Sequence, residues 1–279
     1  MRISINVTNY SYPGDLPAEL ARAVRAADEG GLNTVWVSDH LLQAEPGLAA
    51  DSPMLEAYAT LAFLAAQTSR IRLGTMVTAA TYRAPALLLK TVSTLDALSH
   101  GRAWLGVGAG YQQMEADAYG LDLPPTAERY ERLEDLLLLA GQMFAGDDRP
   151  FEGRHHRLAR PLNHPLPRRR PPVLIGGMGE RRTLPLVASY ADACNLFDIP
   201  DGGATVQHKL AVLRRLCGEA GRPYDAVEKT ISTRLNPDES SSAFAGRLAA
   251  LADLGIEHAV VLTAGPWTEG RVATLVGAL

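Results

Sequence analysis

The stretch Pro171–Thr183, PPVLIGGMGERRT, decides how the rest of the chain is interpreted. The apolar run Val173–Ile175 ends abruptly at the glycine-rich run Gly176–Gly179, and Glu180–Arg182 are predicted to open a helix. This order predicts a buried strand, a tight turn and a helix N-terminus. Glycines let a ligand approach the backbone closely, and the free N–H groups at a helix start favour an anion. The stretch therefore predicts a phosphate site.

Two arginines in the same stretch bear on that prediction. Arg181 and Arg182 place positive charge in the first turn of the predicted helix, where the helix dipole is also positive. This repulsion destabilises the helix by roughly 0.3 kcal/mol or more unless an anion lies close. The alternative is an ordinary turn from strand to helix whose arginines are solvated. The glycines alone do not decide between a phosphate site and an ordinary turn. The residues at the ends of the other strands are needed to decide.

Composition bounds the class of protein. The chain has 279 residues, 47% hydrophobic and 21% charged, which predicts one large domain over residues 1–279. A net charge of −4 and a single short basic cluster, Arg168–Arg170, argue against nucleic acid as a partner. No apolar run of about 18 residues is present, so we expect no membrane partner and a cytoplasmic location.

Cysteines and histidines give no metal or disulfide pattern. Cys194 and Cys217 are predicted to be reduced packing residues. His155, His156 and His164 lie in a Pro/Arg-rich loop without cysteines or acids at ligand spacing. We therefore predict no metal site.

Strands and helices alternate along the chain in eight predicted units. Strands are predicted at Arg2–Val7, Thr34–Ser38, Ile71–Val77, Ala103–Val107, Val173–Ile175, Ala191–Phe197, Lys229–Arg234 and His258–Leu262. Helices are predicted at Asp15–Gly30, Leu55–Thr68, Pro85–Leu98, Ala127–Phe144, from Glu180, and at Ala204–Glu219, Ser242–Leu254 and Glu269–Ala278. Continuous apolar runs are typical of parallel strands covered on both faces, and eight units predict an α/β fold, a (β/α)8 TIM barrel. A doubly wound open sheet is the alternative.

A barrel places its chemistry in the loops after the strands. One long connection, residues 145–170, lacks clear periodicity, and we expect it to be an insertion near the pocket that acts as a lid. The strand ends carry polar or glycine residues, namely Asn6, Thr8, Asp39, His40, Thr75, Met76, Thr78, Gly106, Gly108, Ala109, Gly110, Tyr111, Asn195, Thr233 and Arg234. These predict a pocket for a large flat ligand with a phosphate.

The pair Asp39-His40 carries the most chemistry among them. A histidine can move a proton near neutral pH, and the Asp39 carboxylate can accept a hydrogen bond from a ligand. The alternative is that Asp39 caps a turn and His40 is structural; the position at a predicted barrel mouth favours the functional interpretation. Gly106–Gly110 matches no nucleotide fingerprint, and we expect it to let a planar ring lie close to the backbone.

Several of these segments, in this order, resemble the bacterial-luciferase-like oxidoreductases, in the branch that uses the 8-hydroxy-5-deazaflavin coenzyme F420. The segments are Val37–His40, Arg70–Thr75, Leu95–Gly110, Ala118–Gly120 and Ile175–Gly179. The resemblance covers essentially the whole chain. It implies a TIM-barrel enzyme that moves a hydride to or from the deazaflavin, and members of the family commonly dimerise, so it implies a homodimer.

The resemblance also implies roles for residues. Asp39 and His40 would lie against the deazaflavin, a bulge with a non-prolyl cis peptide at Met76-Val77 would back the ring, and the turn at Gly177–Gly179 would hold the phosphate with Arg182 as a helper. The predicted proton donors are His40 and Tyr111. The predicted cofactor site is Asp39, Thr75, Met76, Val77, Ala109, Gly110, Gly176, Gly177, Met178, Gly179, Arg182 and Asn195.

The chain departs from the family at one acid. The glucose-6-phosphate dehydrogenases of the family carry a glutamate where this chain has Tyr111, and an asparagine where it has Met114. Oxidation of a sugar phosphate is therefore not expected. We expect a partly apolar substrate next to Met54, Tyr82 and Tyr111.

Three hypotheses about function stay open on the sequence, with an isomerase of phosphorylated sugars as a fourth that lacks a convincing base. The leading one is a reductase that takes reduced F420 and delivers hydride to an activated C=C, C=N or C=O bond. The second is a monooxygenase with FMN in the same site, since one phosphate turn serves both ligands. The third is a non-catalytic flavin-binding barrel.

Overall fold

Eight parallel strands close into a barrel, and the computed structural model describes all 279 residues of it. The barrel strands are β1 Arg2–Val7, β2 Thr34–Val37, β3 Arg72–Thr75 with β4 Thr78–Ala79, β5 Leu105–Gly108, β8 Val173–Gly176, β9 Ala193–Phe197, β10 Glu228–Arg234 and β11 His258–Leu262. A short hairpin, β6 Phe151–Glu152 and β7 Arg157–Leu158, lies apart from them. The sheet order is β3-β2-β1-β11-β10-β9-β8-β5-β4.

The barrel closes because β3 and β4 are two pieces of one strand. β4 pairs with β5, and Leu73 of β3 bridges to Ala103, just before β5 begins. The helices that follow the strands are α1 Leu16–Glu29, α2 Ala57–Gln67, α3 Pro85–Leu98, α4 Gln113–Tyr119, α5 Thr126–Phe144, α6 Thr183–Tyr190, α7 Ala204–Glu219, α8 Ser241–Asp253 and α9 Glu269–Val276. The predicted (β/α)8 TIM barrel is confirmed, and the open sheet is excluded.

Each barrel strand is buried on both faces, which is why its sequence is continuously apolar. In β2, for example, all four residues are buried. Val35 and Val37 join a core of 57 buried residues between strands and helices, whereas Trp36 packs with Trp104 in a smaller cluster. Since successive side chains of a strand point to opposite faces, the second cluster fills the barrel interior.

Three local elements differ from the sequence prediction. The seven-residue α4 was not expected, because only Glu115 and Ala116 of it are buried and no apolar period marks it. The hairpin β6–β7 was not expected either. α6 begins at Thr183 and not at Glu180, so residues 180–182 belong to the turn.

The segment 145–170 lies elsewhere than the sequence led us to expect. It runs from the end of α5 to the start of β8, so it lies at the N-terminal ends of the strands, away from the pocket. Asp135 of α5 accepts the N–H groups of Arg154 and His155 at 2.9 and 2.7 Å, and Arg168 donates its N–H to Asp96 at 3.0 Å. No residue of this segment lines the cavity described below. The expected lid near the pocket is therefore corrected on topological grounds.

Two further observations concern the whole chain. Both cysteines are buried and unpaired, as expected of packing residues. None of the helices combines the length and the apolar character that crossing a bilayer requires.

Candidate active site

A cavity of about 830 Å³ opens at the C-terminal ends of the barrel strands. It is the largest of the three main cavities of the chain. Most of the predicted site residues line it: Asp39, His40, Met76, Val77, Ala109, Gly110, Tyr111, Gly176, Gly177 and Asn195. The strand-end rule therefore brings these residues together around one cavity.

Four predicted residues do not line the cavity. Thr75 is fully buried beneath it, where its hydroxyl donates to the Gly106 carbonyl at 2.8 Å and accepts from the Thr78 hydroxyl at 3.0 Å. Thr75 therefore supports the strand end and does not face a ligand. The others, Met178, Gly179 and Arg182, belong to the turn beside the cavity.

His40 follows β2 and presents one ring nitrogen to the cavity. Its Nδ1 lies 2.9 Å from Oε1 of Glu115. Its ring meets the ring of Tyr111 edge-on, with the centroids 6.0 Å apart. Nε2 has no partner within the protein, and His40 lines the cavity. That nitrogen is therefore available to a ligand.

Glu115 of α4 is fully buried behind His40 and was missed by the sequence analysis. Its carboxylate accepts the N–H groups of Leu41 and Leu42 at 3.0 and 3.2 Å, and also the Tyr82 hydroxyl. Burial raises the pKa of Glu115, but the hydrogen bonds from His40 and Tyr82 outweigh burial and leave the pKa below its ordinary value. The group is therefore a carboxylate at neutral pH.

Two tyrosines beside this carboxylate are held in the protonated form. Burial raises the pKa of Tyr111, and the charge of Glu115 raises it further. Burial and the hydrogen bond to Glu115 raise the pKa of Tyr82 in the same way. Both hydroxyls keep their protons near neutral pH.

Asp39 is already engaged by an arginine that the sequence analysis did not single out. Both carboxylate oxygens of Asp39 accept from Arg83, at 2.5 and 3.0 Å, and Arg83 also pairs with Glu56 and lies over the Tyr58 ring. That Asp39 also accepts a hydrogen bond from a ligand stays a prediction. The pair with Arg83 fixes the chain next to His40.

The peptide between Met76 and Val77 is cis, as the family resemblance implies. The Val77 side chain packs where two glycines leave room. A Cβ on Gly108 would lie 2.9 Å from Val77, and one on Gly176 would lie 3.0 Å from it. These glycines therefore allow the strand ends to pack around Val77, which is a different reason from the one expected for Gly108.

The glycine-rich turn offers backbone donors to an anion. Gly177 has φ of +111°, and its N–H donates to the Asn195 carbonyl at 3.3 Å. The N–H groups of residues 178–182 have no partner within the protein. At the edge of this turn the Tyr130 hydroxyl lies 2.8 Å from Thr183 Oγ1, and Arg182 lies over the Tyr130 ring. Consecutive free N–H groups at a helix start fit a phosphate.

The far side of the cavity carries charges that are all paired. Arg234 donates to Glu45 at 2.7 Å, and Arg247 donates to Glu239 at 2.7 Å and to Thr233 at 3.1 Å. Asn195 is held by Ser232 and Thr230 at 2.8 and 2.9 Å. No arginine of the wall is left without a carboxylate.

Sequence profiles and curated proteins identify the relatives of the chain. The profile described as luciferase-like monooxygenase matches residues 2–267. An F420-dependent glucose-6-phosphate dehydrogenase of Kineococcus radiotolerans is 32% identical over 228 residues, which are 80% of this chain and 65% of that protein. The protein of the same name from Amycolatopsis mediterranei is 30% identical over 80% of this chain and 66% of its own length. The chain thus spans slightly less than two thirds of these relatives.

Solved structures share the fold at low sequence identity. An F420-dependent secondary alcohol dehydrogenase, solved with an F420-acetone adduct, matches with a TM-score of 0.86 at 16% identity, over 100% of this chain and 98% of the other. The F420-dependent tetrahydromethanopterin reductase of Methanopyrus kandleri matches with a TM-score of 0.79, also at 16% identity, over 99% and 97% of the two chains. Since the family profile spans nearly the whole barrel, the chain belongs to the luciferase-like monooxygenase family.

Proposed function

We propose that the protein is an oxidoreductase that uses coenzyme F420, and that it works as a reductase toward an activated C=C, C=N or C=O bond of a small organic molecule. The relatives named above support the cofactor. The observation that carries the proposal is the unpartnered Nε2 of His40 on the wall of a cavity that also reaches a backbone phosphate turn at Gly177.

The residues of the site fit a deazaflavin with a phosphate-bearing side chain. The free N–H groups of residues 178–182 suit the phosphate, with Arg182 close by. Val77, Ala109 and Gly110 form a wall of small groups against which a planar ring can lie. When bound, the deazaflavin supplies two-electron hydride transfer, which the protein itself cannot provide.

The chain contributes orientation and a proton. His40 faces the cavity through Nε2 and can give a proton to the substrate atom next to the one that receives hydride. Tyr111 keeps its proton at neutral pH and lies against His40, so it is the second proton donor of the proposal. Asp39, tied to Arg83, holds the turn that carries His40.

The charges of the cavity favour a substrate without a phosphate. A phosphate dianion needs cations with free N–H groups, and Arg234 and Arg247 already donate to Glu45 and Glu239. Tyr111 also stands where the related sugar-phosphate dehydrogenases carry a glutamate. The substrate class we propose is therefore a neutral, partly apolar molecule that packs against Tyr111 and Phe197.

A second candidate is an FMN-dependent monooxygenase of the same family. The specific observation in its favour is the turn at residues 177–182, whose free N–H groups suit the FMN phosphate equally well.

One titration separates these candidates. The purified protein is titrated with F420 and, separately, with FMN, and binding is followed by fluorescence. We expect tight binding of F420 and weak binding of FMN, followed by anaerobic turnover with reduced F420 and an activated alkene, imine or ketone. Tight binding of FMN alone, with turnover that requires oxygen, would replace the reductase by the monooxygenase.

A homodimer and a cytoplasmic location stay predictions. Exposed apolar side chains on α2 and α3 support the homodimer: Phe63, Leu87 and Leu98 are 38%, 61% and 66% exposed. Sedimentation of the wild-type protein and of Leu87→Lys tests it: we expect a dimer for the first and a monomer for the second.

A further inference from the structure

We propose that Glu115 is a positioning residue for His40: it holds the ring with Nδ1–H inward and Nε2 toward the cavity, and it places a carboxylate charge beside that ring. This role deepens the proposed function, because it states how His40 is prepared to act as the proton donor. It rests on the proposed function, and its evidence is the geometry of the cofactor-free protein.

A buried charge must have a reason to remain charged. Glu115 has no exposed surface and its pKa lies below the ordinary value, yet neither a lysine nor an arginine contacts it. Its only ion-pair partner is His40. Burying a carboxylate without partners costs several kcal/mol. The hydrogen bonds that Glu115 accepts therefore keep its buried carboxylate ionised.

The hydrogen bonds that Glu115 accepts converge on His40 and on the turn after it. Oε1 of Glu115 accepts a hydrogen bond from Nδ1 of His40 at 2.9 Å, and it also accepts the N–H groups of Leu41 and Leu42. One oxygen thus fixes both the ring and the backbone that follows it. Tyr82 donates to the other oxygen and keeps the carboxylate from turning away.

The charge of the Glu115 carboxylate determines which nitrogen of His40 carries a proton. An ionised carboxylate only accepts hydrogen bonds, so Nδ1 of His40 must carry a proton. The remaining nitrogen, Nε2, has no partner within the protein, and His40 lines the cavity. When Nε2 also carries a proton, the ring is a cation beside Glu115; transfer of that proton to the substrate leaves a neutral ring that still donates from Nδ1. The hydride for the same reduction comes from the reduced deazaflavin.

Asp135 provides a matched control in the same chain. It too is a buried acid with a histidine Nδ1 beside it, His156 at 3.3 Å, and with backbone N–H groups from a following turn. It lies on α5 near segment 145–170, away from the cavity. If Glu115 had a purely structural role, substitutions of Glu115 and of Asp135 would have the same effect on the His40 ring and on kcat.

The experiment reads the proton on His40 directly, by ¹⁵N NMR of the histidine rings in the cofactor-free protein. The wild-type protein is expected to show His40 with a protonated Nδ1. Glu115→Ala should give a mixture of tautomers, whereas Glu115→Gln should keep the Nδ1–H form, because an amide oxygen can accept the same bond. Asp135→Asn should leave the His40 signals unchanged.

Kinetics of the F420-loaded enzyme test whether the charge of Glu115 contributes to turnover. We expect kcat to fall roughly 100-fold in Glu115→Ala, the lower end of what a positioned proton donor contributes, and about 10-fold in Glu115→Gln, because the amide oxygen keeps the hydrogen bond without the charge. KM and the Kd for F420 should change less than about threefold, and Asp135→Asn should leave kcat unchanged.

Two outcomes overturn the proposal. One is wild-type His40 with its proton on Nε2 alone, which needs no variant to fold. The other is a kcat of Glu115→Gln equal to that of the wild type. Failure of the proposed function is a separate result: the protein would bind neither F420 nor reduced F420, while the NMR result would still stand.

Discussion

Asp39 and Arg83 form a two-pronged ion pair at the edge of the cavity, with oxygen to nitrogen distances of 2.5 and 3.0 Å. The Asp39 side chain is completely buried and that of Arg83 is 17% exposed. A buried pair of this kind is costly to break from one side, because the other charge is left without a partner. The relationship links the strand end that carries His40 to the start of α3.

Removal of Arg83 is therefore expected to destabilise the protein. Arg83→Gln should lower the free energy of unfolding by about 3 kcal/mol, measured by urea denaturation. The control is Arg22→Gln, whose partner Glu19 lies on the surface of α1 and which should lose less than about 1 kcal/mol. Equal, small losses in both variants would show that Asp39 does not depend on Arg83.

His40 and Tyr111 can be separated as proton donors. His40→Asn should lower kcat by roughly 100-fold or more, because proton transfer from a positioned side chain is lost, with little change in the Kd for F420. Tyr111→Phe should lower kcat by less than about fivefold, because phenylalanine keeps the wall for the substrate and His40 still supplies the proton. Stopped-flow traces of F420 oxidation give both numbers, and a larger loss in Tyr111→Phe would exchange the two roles.

Gly106 shows how tightly two strand ends approach each other. A Cβ at this position would lie 1.8 Å from the carbonyl oxygen of Thr75, which is backbone and cannot move aside. Gly106→Ala should therefore lower the free energy of unfolding by about 3 kcal/mol or more. Gly141 of α5 has nothing within 4 Å of an added Cβ, so Gly141→Ala should stabilise by roughly 0.5–1 kcal/mol. Thermal unfolding of the two alanine variants should move in opposite directions.

The phosphate turn depends on the backbone of Gly177. With φ of +111°, an alanine there is strained, and the free N–H groups that follow would be displaced. Gly177→Ala should weaken binding of F420 by roughly tenfold in a fluorescence titration. Gly47→Ala is the matched control, because Gly47 also has a strongly positive φ, +89°, with nothing within 4 Å of an added Cβ, and it lies outside the cavity. It should show comparable backbone strain with unchanged affinity.

A buried ion pair at the other end of the barrel makes stability depend on acid. Glu228 accepts from His258 Nδ1 at 2.6 Å and pairs with Arg2. Burial raises the pKa of Glu228, but the bond from His258 outweighs it, so the pKa lies below the ordinary 4.5. The unfolded chain therefore takes up this proton first as the pH falls, and the stability that the pair provides above that pH is lost below it.

The measurement compares the wild type with Glu228→Gln across pH. The wild type should be more stable by about 1–3 kcal/mol at pH 7, and the difference should shrink between about pH 5 and pH 3. A difference that is constant with pH would show that the charge of Glu228 contributes nothing.

The fold was predictable because its signals are local. Pro85–Leu98, Ala204–Glu219 and His258–Leu262 have the bounds expected from apolar periodicity and capping. The strand ends were predictable for the same reason: a residue such as His40 lies at the mouth once the strand before it is recognised. The side chains that helices contribute were not, since Tyr130 and Arg247 line the cavity and Glu115 lies behind His40 through contacts between elements far apart in the sequence.

The segment 145–170 was misplaced for a different reason. Its length and composition suggested a lid, but a connection that runs from a helix to the next strand must lie at the N-terminal ends of a parallel barrel. That conclusion was available from the order of α5 and β8 alone. The length of a connection indicates an insertion, and the order of the helix and strand that flank it shows at which end of the barrel it lies.

The same segment also divides the molecule. Four barrel strands precede it and four follow it, so it joins two half-barrels of equal strand number. The cavity spans both halves, with His40 and Tyr111 contributed by the first and Gly177 and Asn195 by the second. A cut in this segment would leave every cavity residue in place on one half or the other. The two pieces would each be inactive alone, and turnover would report their reassembly.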